Sequence, residues 1–204
     1  YPSGEELFPK MLEAVKEAEN FIFLEYFIFE DGIMLEQLLA ALEEKVKQGV
    51  EVRMIYDDVG CISKLPAGYY KKMEARGIKC TAFNPFRPIM SIIMNNRDHR
   101  KILVVDGKTA FTGGINIADE YINVTTRFGY WKDAAVRISG EAVRSMEAAF
   151  LVMWQVCTGQ SQRLPTALAP RGAEAKAYVR PFDGGPAKNP DNPVQALYDM
   201  VIDR

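Results

Sequence analysis

Nine residues, Phe21 to Phe29, limit what this chain can fold into more than any other stretch. They read Phe-Ile-Phe-Leu-Glu-Tyr-Phe-Ile-Phe, with a single charge at Glu25. So short and so apolar a run predicts a strand covered on both faces. The flanks agree. Ahead of it, Leu7, Phe8, Met11, Leu12 and Val15 recur with helical spacing, and Ser3 stands before Glu6 as in a capping box, so a helix is expected over residues 4–19. Behind it, Met34, Leu35, Leu38, Leu39, Leu42 and Val46 mark a second helix closed by Gly49. Strands over 50–56 and 78–83, with a helix over 68–76 between them, continue a βαβαβ rhythm. The expected class is α/β, a mixed and mostly parallel sheet with helices on both faces.

Composition narrows the function. A hydrophobic share of 48% and a net charge of -2 over 204 residues describe an ordinary globular chain without the basic footprint of a nucleic-acid binder. Cys61, Cys80 and Cys157 are odd in number and lack ligand spacing, which fits a reducing compartment and no metal site. No segment reaches the roughly 18–20 apolar residues of a membrane span. The chain opens on Tyr1 rather than Met, as a piece of a longer protein would.

The chemistry concentrates between Asn96 and Glu120. His99 is the only histidine, and it stands two residues before Lys101 at the entry to the apolar run Ile102 to Val105. Strand side chains alternate, so His99 and Lys101 share a face and Arg100 takes the other. Imidazole and ammonium side by side can engage one phosphate, the first as nucleophile or acid/base, the second as counter-charge. Asp106-Gly107 reads as the turn ending this strand. After a short strand over 108–112, the pair Gly113-Gly114 lets backbone approach a ligand closely. Asn116 follows with an amide able to donate to a phosphate oxygen.

These residues resemble the phospholipase D superfamily, whose pattern is His-x-Lys, four residues, Asp, six residues, Gly-Gly or Gly-Ser, one residue, Asn. His99, Lys101, Asp106, Gly113, Gly114 and Asn116 fill every position. The wording Phe111-Thr-Gly-Gly-Ile-Asn-Ile-Ala-Asp-Glu-Tyr121 resembles bacterial cardiolipin synthases in particular. The resemblance implies a phospholipase D-like fold and a phosphatidyl transfer through a phosphohistidine, with no cofactor and no metal. Two phosphatidylglycerol molecules would give cardiolipin and glycerol at a membrane surface, in bacteria the inner membrane, on its cytoplasmic side. His99 would be the nucleophile, and Lys101 and Asn116 would hold the phosphate. Asp133, at the head of a strand over 134–138, would hold the free nitrogen of the imidazole. Asp106 belongs to the motif by name, yet its place beside Gly107 favours a turn-capping role.

The same resemblance implies two halves, each with one motif. Leu197-Tyr198-x-x-Val201-Ile202-Asp203 echoes Leu7-Phe8-x-x-Met11-Leu12-Glu13. The expected division is therefore 1–160 as a first catalytic half, 161–193 as a linker and 194–204 as the start of a second half. The partner would be that missing half or a second chain. The rival classes are a homodimeric phosphodiesterase acting on nucleic acid, a phospholipase D using water, and an inactive fragment that only docks its other half.

Four features keep two readings. Glu25 either forms a salt bridge or backbone hydrogen bond or lies under the phosphate site and orients a lysine or asparagine there. Asp57 and Asp58 cap a loop or, at a strand's carboxyl end, face a ligand. Arg97 contacts a headgroup or is surface charge, while Arg100 is structural. Residues 84–95, with two prolines and many apolar side chains, touch lipid or fill the core.

Overall fold

The computed structural model of the protein describes residues 1–86, 96–127 and 129–161, together with positions 179, 181, 200 and 202. Helix α1 (Gly4–Glu17) starts where the Ser3 hydroxyl accepts from the Glu6 N–H, as the sequence predicts. Strand β1 (Phe21–Tyr26) is buried at all six positions. It is followed by α2 (Ile33–Lys47), β2 (Glu51–Asp57), the single turn α3 (Asp58–Cys61), α4 (Tyr69–Glu74) and β3 (Lys79–Phe83). The second part of the chain gives β4 (Lys101–Val105), β5 (Thr109–Gly113), a 3-10 turn (Asp119–Ile122), β6 (Ala135–Ser139) and α5 (Val143–Thr158).

The six strands form one sheet in the order β3-β2-β1-β4-β5-β6, with β1 central. The sheet is mixed as expected, but parallel pairing stops at β1. Pairs β1–β2 and β2–β3 are parallel, whereas β1–β4, β4–β5 and β5–β6 are antiparallel. The cause is local. Asp106 and Gly107 both have positive φ, 52° and 63°, and the Lys108 N–H bonds to the Val105 carbonyl at 2.9 Å. That is a type I′ hairpin turn, which joins antiparallel neighbours.

The pleat sorts the core into two layers. Ile22, Leu24, Tyr26, Leu103 and Phe111 face α1, α2 and α4. Phe23, Ile55, Ile102, Val104 and Ile138 face α5 through Phe150 and Trp154. Phe150 stacks on Phe23 at 4.7 Å between ring centres. Helices on both faces are therefore what the apolar alternation requires.

Asp106 joins the two halves of the sheet from its end away from Lys101. Its carboxylate accepts from the N–H groups of Glu19, Asn20 and Phe21, each at 2.8 Å. Its place among candidate catalytic residues is corrected accordingly. It sits past the far end of β4, roughly 16 Å of strand beyond Lys101. Residues 87–95 fall outside the described residues, as does nearly all of 162–204, so most of the expected apolar loop over 84–95, the linker and the second-half start lie there too.

Candidate active site

Strand β4 begins with Lys101, opposite Tyr26 of β1, and the chain leading into it carries His99. The imidazole is exposed, whereas Lys101 is only 3% exposed. The side chains meet around Phe27, the residue just past β1. Its ring centre lies 4.7 Å from that of His99 and 5.4 Å from the Lys101 ammonium. The ammonium donates to the His99 carbonyl oxygen at 2.6 Å, which fixes it beside the imidazole. The expected shared face is thus observed.

Both groups are shifted toward their neutral forms. Burial pushes the Lys101 ammonium down to about 8, against the pull of Asp98 and Asp133. Burial also holds His99 below the ordinary imidazole value; Lys101 adds to the shift, while Asp98 and Asp57 oppose it. Near neutral pH the ring is therefore mostly unprotonated and nucleophilic while the lysine still carries charge.

Asn116 is buried against the segment that follows Phe27. Its Oδ1 accepts from the Ile28 N–H at 3.1 Å and its Nδ2 donates to the Tyr121 hydroxyl at 2.7 Å. The amide nitrogen has two N–H groups, and the bond to Tyr121 uses one of them. Tyr121 was not among the expected site residues.

Gly113 and Gly114 have a different reason from the one expected. A Cβ on Gly114 would lie 2.1 Å from Asp133 Oδ1, and one on Gly113 would lie 2.4 Å from the Ala134 carbonyl. The group that comes close is the segment leading into β6. Asp133 is thereby held on the site's β5 side, where its charge acts on Lys101. The expected bond from Asp133 to the imidazole is not formed among the described residues; Oδ1 accepts instead from the Ala134 N–H at 2.7 Å, over Gly114.

Glu25 is fully buried but belongs to the other face. Register sets it opposite Ile102, on the α5 side, and it pairs with Arg100 at 2.7 Å. Its reading as an orienter of a lysine or asparagine under the phosphate site is corrected, and Arg100 is structural as expected. Arg97 is also bound internally, to Asp57 at 3.2 Å and to the Asn84 carbonyl at 3.1 Å. It is therefore not a free surface charge. Phe27 and Asp98 are the missed residues. Phe27 reads as one more strand residue in an apolar run, and Asp98 carries no sequence signal beyond adjacency to His99.

A groove of about 620 Å³ opens on the α5 face of the sheet, where Arg100 and Ile102 line it, and reaches the chain that carries the pair. His99, Lys101 and Gly113 stand at one end, and Ile138, Met146 and Val152 continue it between β6 and α5. Its size falls in the range of ligand sites, roughly 300–1,000 Å³.

Residues 11–154 match the family model described as cardiolipin synthase, PLD-like domain. The chain is 47% identical over 188 residues to an uncharacterised protein of Streptococcus mutans, covering 91% of this chain and 41% of that one. It is 38% identical over 202 residues to the cardiolipin synthase of Geobacillus kaustophilus, covering 98% and 40%. The chain thus spans about two fifths of the length of these relatives. Among solved structures it is similar to NucT from Helicobacter pylori, with a TM-score of 0.56 at 14% identity over 74% of this chain and 89% of that one. It is also similar to phosphatidylserine synthase of Haemophilus influenzae, with a TM-score of 0.57 at 14% identity over 74% and 35%. At such identities the likeness concerns the fold.

Proposed function

The chain belongs to the phospholipase D-like domain family of cardiolipin synthases, and we propose that it supplies one half of a phosphatidyl-transfer site at a membrane surface. The observation that carries this reading is an exposed imidazole beside a buried ammonium, with an apolar groove on the adjoining α5 face of the sheet. A diacyl phosphodiester has both parts that such a place accommodates. Its phosphate meets His99 and Lys101, and its hydrocarbon finds the apolar lining. A nucleic-acid strand would leave that lining uncovered.

In the proposed reaction a ring nitrogen of His99 attacks phosphorus in a phosphatidylglycerol donor. The glycerol oxygen leaves with the P–O bonding pair and takes a proton from a second histidine outside this chain. Lys101 and the second N–H of Asn116 stabilise the charge on the phosphoryl oxygens. The second histidine then takes the proton of an acceptor hydroxyl, whose oxygen displaces His99 from phosphorus. A second phosphatidylglycerol as acceptor gives cardiolipin, and water gives phosphatidic acid. Residues 1–160 form the first half of this arrangement, and 194–204 begin the second.

The test is an assay of the intact longer protein on phosphatidylglycerol vesicles, with His99→Ala alongside. Cardiolipin formation lost in the variant supports the reading. Phosphatidic acid as the only product turns it into a hydrolase, and cleavage of DNA by the isolated chain as a dimer overturns it for the nuclease alternative.

A further inference from the structure

We propose that Asp57 is a positioning residue for His99, acting through the turn Asp57–Cys61 that closes the carboxyl end of β2. The inference rests on His99 being the reacting imidazole. Asp57 is fully buried, and three donors converge on its carboxylate. Oδ1 accepts from the Gly60 N–H at 2.9 Å and from the Arg97 guanidinium at 3.2 Å. Oδ2 accepts from the Asp98 N–H at 2.9 Å. Two of these donors are the residues immediately before His99, so the chain enters the histidine already fixed.

The same turn fixes the ring's other neighbour. Cys61 Sγ accepts from the Phe29 N–H at 3.2 Å and donates to the Phe27 carbonyl at 3.5 Å. A Cβ on Gly60 would lie 2.2 Å from that carbonyl, so only glycine lets the turn sit against Phe27. Phe27 in turn packs on the imidazole. One short turn therefore governs both the backbone leading to His99 and the ring beside it. Substituting an amide for the carboxylate presents N–H where an acceptor is required, so at least one tie is lost. A displacement of about 1 Å at a reacting group costs roughly 100-fold in rate, so fixing this loop has a catalytic consequence.

The charges facing the imidazole are Lys101, Asp98 and Asp57. Asp57→Asn removes one of the two anions favouring the imidazolium, so the His99 pKa falls further. His99 is the only histidine of the chain, so its imidazole proton resonances need no assignment. The experiment titrates them in the 204-residue chain for wild type, Asp57→Asn and Asp106→Asn, and follows amide exchange at Asp98. Asp106 is the control: it is also buried and holds three backbone N–H groups, but at the far end of β4.

Asp57→Asn is expected to lower the His99 pKa and speed Asp98 exchange at least tenfold, while Asp106→Asn lowers the melting temperature and moves neither. A folded Asp57→Asn with unchanged titration and exchange overturns the proposal, as does an equal effect from Asp106→Asn. If Asp57→Asn does not fold, Arg97→Gln decides. Faster Asp98 exchange and broadened His99 resonances support the proposal, and unchanged spectra overturn it. These readouts do not depend on turnover, so failure here leaves phosphatidyl transfer standing, and failure of that reading leaves the spectra interpretable.

Discussion

Lys101 keeps its charge in a place that works against it. It is 3% exposed, and burial brings its pKa down to about 8. An incoming phosphate monoanion reverses that penalty, so the lysine is a better partner for substrate than for solvent. A pH dependence follows. His99 acts as the neutral ring, so activity rises with pH through a value below the ordinary imidazole pKa. Lys101 acts as the cation, so activity falls again above about 8. A bell-shaped kcat/KM profile in the intact protein is expected, and a profile flat from about pH 5 to 9 contradicts these assignments. Asp106 has the opposite character. Asp106→Ala leaves three N–H groups without their acceptor and is expected to cost about 3 kcal/mol in denaturant unfolding, with the His99 titration unmoved.

At the scale of elements, the order of capping signals explains what was legible. Ser3 and Glu6 announce α1 because the cap lies within the same few residues. Helix α2 follows Gly32 and has no such neighbour. Its first N–H groups, on Ile33 and Met34, donate to Asp119 at 3.0 and 2.8 Å, from 86 and 85 residues away. Asp119→Ala should destabilise the fold by about 1–2 kcal/mol, and hydrogen exchange should show the loss in the first turn of α2. Position 32 cannot compensate, because a Cβ there would lie 2.6 Å from Asp119 Oδ2. The same division holds at the site. His99, Lys101 and Asn116 sit within one stretch and could be placed from alternation and spacing. The pairing of Glu25 with Arg100 depended on register, and the ties from Asp57 span about 40 residues. Asp-Gly marked the β4–β5 hairpin, yet nothing local said that β4 would lie beside β1 and make half the sheet antiparallel.

At the scale of the molecule, the proposed transfer needs two histidines and this chain has one. The family model covers residues 11–154, and the relatives are more than twice as long as this chain. The isolated chain is therefore expected to bind phosphate weakly and to form no cardiolipin. Adding the remaining segment of the longer protein should restore turnover, measured on phosphatidylglycerol vesicles. No helix among the described residues is long and apolar enough to cross a membrane. The most direct test of the whole account is to quench the intact protein during turnover and locate the covalent intermediate by mass spectrometry. A phosphatidyl adduct on His99, absent from His99→Asn, is the predicted result. Turnover that continues with the adduct on another residue, or with none at all, would contradict it.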